Sequence, residues 1–88
     1  MIRHLFTVEF GFIIRGRGII GLLPGLLPQG DELFSVGDPL RLLRPDGSEL
    51  RTVIEGFDFA NVRVHGGYAI YSMLSKSEVP IGTEVWST

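Results

Sequence analysis

Phe6-Thr7-Val8-Glu9-Phe10-Gly11-Phe12-Ile13-Ile14-Arg15-Gly16-Arg17-Gly18-Ile19-Ile20-Gly21 is the stretch on which the fold turns. Phe6, Val8, Phe10, Phe12 and Ile14 occupy every second position, with Thr7, Glu9 and Gly11 between the first of them. Side chains alternate faces along a strand, so the spacing predicts one continuous strand with an apolar row against a core. Gly16, Gly18 and Gly21 also form a G-x-G-x-x-G pattern, which in a dinucleotide site opens a helix whose N-terminus faces the pyrophosphate. Pro24 and Pro28 forbid that helix, and no Gly-Lys-Ser/Thr follows to make a P-loop. The glycines are read as a hairpin turn, where a reversal needs positive φ, and Ile19 to Leu23 as the returning strand.

Outward from this hairpin, Leu22-Leu23-Pro24-Gly25 and Leu26-Leu27-Pro28-Gln29-Gly30 form a near-repeat. Each proline lacks a backbone donor and restricts the residue before it, so the segment is expected to be a loop. Leu22, Leu23, Leu26 and Leu27 either plug one end of the fold or form an exposed patch for a protein partner or a second copy. Val36-Gly37-Asp38-Pro39 reads as a turn launching Leu40 to Arg44, and Pro45-Asp46-Gly47 as a hairpin signal. Glu49 to Ile54 follows, with Leu50, Thr52 and Ile54 on one face and Arg51, Val53 and Glu55 on the other. Phe57 to Val64 is a weaker strand, His65-Gly66-Gly67 a turn, and Tyr68 to Leu74 a β-rich segment. Val79-Pro80-Ile81-Gly82 turns the chain once more before Glu84-Val85-Trp86. No window of helical length has 3.6-residue periodicity without glycine or proline, so the chain reads as all-β, with six or seven short strands.

The 88 residues allow one domain, residues 1–88, with a hydrophobic fraction of 44% and 20% charge, the balance of a globular chain. Eight basic and ten acidic residues leave a net charge of −2, which disfavours broad neutralisation of phosphates and leaves room only for a local basic spot. Arg15 and Arg17 are such a spot; at a turn they serve solubility or meet phosphate or a carboxylate partner. There is no cysteine, and His4 and His65 stand alone, so no metal or disulfide is expected. Ser35, Ser72, Ser75 and Ser77 lie in no nucleophile context, so no catalytic residue is expected. Tyr68, Tyr71 and Trp86 either stack on bases or pack a barrel end. The N-terminus lacks the features of a signal peptide, and no run is long and apolar enough for a membrane span. A cytoplasmic location with no membrane partner is the expectation.

Phe6-x-Val8, Gly16-Arg17-Gly18-Ile19-Ile20, Val36-Gly37-Asp38-x-Leu40-x-Leu42, Thr52-Val53-Ile54-Glu55-Gly56-Phe57 and Val79-Pro80-Ile81-Gly82-Thr83-Glu84-Val85 occur in this order. Together they resemble the second domain of the translational GTPases, the β-barrel of elongation factor Tu and its relatives, over nearly the whole chain. The resemblance implies a closed, roughly six-stranded antiparallel barrel of Greek-key type. It implies a non-catalytic binding module that contacts RNA or the translation machinery, with Arg17, Glu55 and Phe57 near the surface that holds transfer RNA. Arg15, Arg17, Glu55 and Phe57 are therefore the candidate RNA or partner residues. The alternative is a protein-interaction or self-assembly module using the leucines. The GTPase domain that precedes the barrel in that family has no counterpart here, so neither GTP binding nor any other cofactor is expected. Gly67 stands at about the position where the factor carries an asparagine, and a glycine has no side chain to hydrogen-bond a nucleotide.

Overall fold

Glycines at positive φ, among them Gly16 (78°), Gly18 (65°) and Gly47 (89°), mark the ends of the apolar runs. Such left-handed backbone costs other residues steric energy. The computed structural model describes residues 2–14, 16, 18–27, 32–58 and 68–88, and of Ile14, Asp58 and Tyr68 the backbone alone. The strands are β1 (His4–Thr7), β2 (Phe10–Ile14), β3 (Ile19–Leu26) and β4 (Pro39–Leu43). They continue with β5 (Glu49–Val53), β6 (Gly56–Asp58), β7 (Tyr68–Ser72) and β8 (Glu84–Ser87). One turn of 3-10 helix at Lys76–Glu78 is the sole helical piece among the described residues. The protein is all-β.

The strands form two antiparallel four-stranded sheets, ordered β1-β8-β4-β5 and β2-β3-β7-β6. The chain passes between them at Val8–Glu9 and at Ile54–Glu55. The Val8 N–H donates to the Thr83 carbonyl and the next N–H, of Glu9, to Leu23, both at 2.8 Å. Likewise the Ile54 N–H donates to Asp38 at 2.9 Å and that of Glu55 to Tyr71 at 2.8 Å. Between the sheets lie Ile20, Leu22, Leu26 and Ile70 from one side and Leu40, Leu42 and Val85 from the other, all buried. Ile54 at the second crossing and Val79 in the β7–β8 connection join them. Leu50, Thr52 and Ile54 share the inward face, as their spacing predicts.

Two expectations are corrected. The apolar row does not run unbroken: Phe6 and Val8 are buried, whereas Phe10 is 51% exposed. The cause is at Glu9, whose N–H reaches the Leu23 carbonyl although Phe10 is the residue aligned with Leu23. Two residues therefore oppose one, a β-bulge that shifts the alternation by one position. Phe10 and Phe12 turn outward, and Gly11 takes the inward place. The Leu-Pro-Gly segment, expected as a loop, is the second half of β3 and runs through Pro24. Its pairing with β7 shifts between Leu22 and Leu26, so Pro24 is accommodated at an irregularity in the ladder, and Pro28 lies outside the described residues.

A buried polar bridge ties the sheets together. The Ser72 hydroxyl donates to the Val53 carbonyl at 3.1 Å, which leaves Thr52 Oγ1 to donate to Ser72 at 2.6 Å. Ser72 is wholly buried, so Ser72→Ala strands the Thr52 hydroxyl and the Val53 carbonyl. We expect a loss of roughly 1–3 kcal/mol, read as a lower urea midpoint, because unsatisfied buried groups keep their desolvation cost.

Two exposed carboxylates organise turns. Asp46 accepts both the hydroxyl (2.6 Å) and the N–H (2.8 Å) of Ser48, and these bonds hold its carboxyl below the usual range. Glu78 is lowered by the N–H and hydroxyl of Ser75, at 2.8 and 3.0 Å. A carboxyl depressed in the folded state stabilises above its ordinary pKa, and that stability is lost as pH falls through the folded value. Unfolding midpoints measured from neutral to acid pH should fall in that window, and the fall should be shallower in a chain carrying Asp46→Asn and Glu78→Gln.

Candidate binding surfaces

Each sheet has one face on the core and one turned outward, and the two outward faces differ in chemistry. On β1-β8-β4-β5, register aligns His4, Trp86, Arg41 and Arg51 across all four strands. The His4 ring meets Trp86 edge-on at 5.3 Å, and the Arg41 guanidinium lies over Trp86 at 5.7 Å. Arg41 and Arg51 face each other across strands, a repulsive placement offset by Glu49 between them, at 3.5 and 3.7 Å. Glu84 accepts the Trp86 indole N–H at 3.0 Å. The charges of this face largely answer one another.

On β2-β3-β7-β6 the row reads Phe12, Gly21, Tyr71, Gly56. Phe12 lies flat on Gly21: a Cβ there would stand 2.3 Å from the ring's Cζ. This is why a glycine sits mid-strand, and it is the physical role of the third glycine of the pattern. Tyr71 similarly leans over Gly56 and meets Phe12 edge-on, with centroids 5.9 Å apart and planes at 88°. Phe10 extends the aromatic surface, with the Lys76 ammonium 5.7 Å from its ring. Outward positions Phe10, Phe12, Ile19, Gly21, Leu23 and Tyr71 carry no charge.

The candidate residues scatter relative to these faces. Arg15 and Arg17, between β2 and β3 in the chain, lie outside the described residues, as do His65 and Gly67. Glu55 is half-buried at the second crossing. Phe57 is aligned with Ile70, is half-buried and packs against the core. Leu22 and Leu26 are fully buried in the core between the sheets, and Leu23, on the other face of β3, keeps only 8% of its surface exposed, which withdraws them as an interface. Leu27 alone of the four is exposed, at 57%. Tyr71 and Trp86 stand on different sheets and form no common platform, and the side chain of Tyr68 lies outside the description. Reading Phe12 as core concealed the aromatic row; the signal for it is the glycine at Gly21, aligned with a ring on the neighbouring strand.

A cavity of about 380 Å3 is lined by Glu32, Leu33, Phe34, Asp38, Pro39 and the chain's last two residues. Its carboxylates are engaged: Glu32 takes two hydrogen bonds from Arg3, at 2.6 and 2.7 Å, and Asp38 accepts the Ser35 N–H at 2.9 Å. Among the described residues no group of three potential metal ligands converges, and no helix is long and apolar enough to cross a membrane. No protein-family model, curated protein or solved structure matches the chain.

Proposed function

We propose that the chain is a non-catalytic binding module of the translation-factor barrel type, and that it holds single-stranded RNA on the aromatic face of β2-β3-β7-β6. Barrel closure is supported by the two crossings. If β1 with β2, and β5 with β6, each count as one bent strand, the order β1/β2-β3-β7-β6/β5-β4-β8 returns to its start, a six-stranded ring. The RNA reading rests on one observation: Phe10, half-exposed, and Phe12 and Tyr71, part-buried, share the outer side of β2, β3 and β7, three strands whose sequences hold no charged residue, with Lys76 beside Phe10. Rings presented in this way stack on bases of any sequence. The hairpin joining β2 to β3 carries Arg15 and Arg17 in its sequence, which places cationic residues next to that face along the chain. With so few cations, affinity should come from stacking and depend weakly on salt. Titrating labelled single-stranded RNA with the protein tests this: saturable binding with a shallow salt slope supports it, and absence of saturation at low salt overturns it. A protein partner with an apolar surface is the second reading, favoured by the net charge of −2. Translation components such as the ribosome offer both kinds of surface.

A further inference from the structure

The face just described ends at β2, the outermost strand of its sheet. Among the described residues, β2 pairs with β3 alone. The direction of its remaining hydrogen-bonding groups follows from Pro24. In an antiparallel ladder, aligned residues either exchange bonds directly or leave this to their neighbours. If the Phe10–Leu23 pair were of the second kind, Pro24 would have to donate an N–H, which proline lacks. Phe10 therefore bonds Leu23 directly. By alternation Phe12 and Ile14 also point to β3, and the backbone groups of Gly11 and Ile13 point to the open edge.

Among the described residues, that edge is guarded by the bulge at Glu9 and by the 3-10 turn at Lys76–Glu78, whose Lys76 reaches the Phe10 ring, and the rest of the strand carries no further protection of its own. Phe10 to Ile14 contains no charge and no proline, and Ile13 is 60% exposed although it is aligned with the fully buried Ile20. The strand is also self-complementary. When two copies are set antiparallel about a two-fold axis through Phe12, Gly11 of each falls opposite Ile13 of the other. Those are the residues whose N–H and C=O groups face outward, so two pairs close with four hydrogen bonds. The glycine, lacking a side chain, leaves room for the exposed isoleucine opposite it. Phe12 meets its counterpart in the closer, non-hydrogen-bonded type of pair, where side-chain contact is greatest.

We infer that the chain self-associates through β2, its partner a second copy, joining the two β2-β3-β7-β6 sheets into one. This association is isologous and closes at two chains. It is independent of RNA binding, although it would set the two aromatic rows end to end. Light scattering over about 10 µM to about 1 mM should show a mass rising toward that of two chains, as a small interface requires concentration. Ile13→Lys, at an exposed position, should keep the fold and remain at one chain's mass. The amides of Gly11 and Ile13 should be slow to exchange with deuterium in the concentrated sample and fast in the dilute one. A single-chain mass throughout overturns the inference. So does association that survives Ile13→Lys, or that leaves those two amides fast.

Discussion

Leu22→Ala should cost roughly 2–5 kcal/mol of stability, whereas Leu27→Ala should change it by no more than about 0.5 kcal/mol. The two leucines belong to the same near-repeat, Leu-Leu-Pro, and differ only in where the fold puts them. Leu22 has no exposed surface and is aligned with Ile70 across the sheet, so its loss leaves a cavity between the sheets. Leu27, one residue beyond β3, keeps more than half its surface in water. A domain of this size has about 4–13 kcal/mol in total, so the first change removes a large share and can unfold the chain outright. Urea unfolding of both variants decides the matter. Similar small effects would mean that the segment is a surface loop after all and that the leucines are free to meet a partner.

Phe12→Leu and Tyr71→Leu should each weaken single-stranded RNA binding by roughly 1–2 kcal/mol, about 5- to 30-fold, if the aromatic face is the contact surface. Leucine keeps apolar cover over Gly21 and Gly56 while removing the flat ring, so the loss of stacking is separated from a loss of fold. Arg41→Ala, on the opposite sheet, should leave affinity within about 2-fold. Arg41 is far from the aromatic row, its guanidinium lying over Trp86 and beside Glu49 on the other sheet. Equal losses from both faces would point to a nonspecific electrostatic contact.

The strand boundaries were largely legible because glycine and proline punctuate alternating runs, and Gly16, Gly18 and Gly47 take the positive φ that their turns need. The two misreadings share a cause. Alternation predicts faces only while register holds, and the bulge at Glu9 reverses the faces of Phe10 and Phe12 without any change in composition. Proline likewise argues against a strand only where its missing donor is needed, and Pro24 lies where the β3–β7 ladder is irregular. The candidate surface was the least legible part. Phe12, Gly21, Tyr71 and Gly56 are far apart in sequence and become a row only through register across four strands. Arg41 and Trp86 are hidden in the same way. The packing of Phe57 against the core is equally hidden, because Glu55 lies at the crossing between sheets, where counting by twos from β5 no longer gives the face.

Mapping RNA contacts by amide chemical-shift perturbation tests the central proposal most directly, since it reports the surface as well as the affinity. Titration of the 15N-labelled chain with a short single-stranded RNA should move the amides of Phe10, Phe12, Gly21, Tyr71 and Lys76. Those of Arg41, Arg51 and Trp86 should stay in place. Shifts confined to the Arg41–Trp86 face, or none at saturating RNA, would contradict the account.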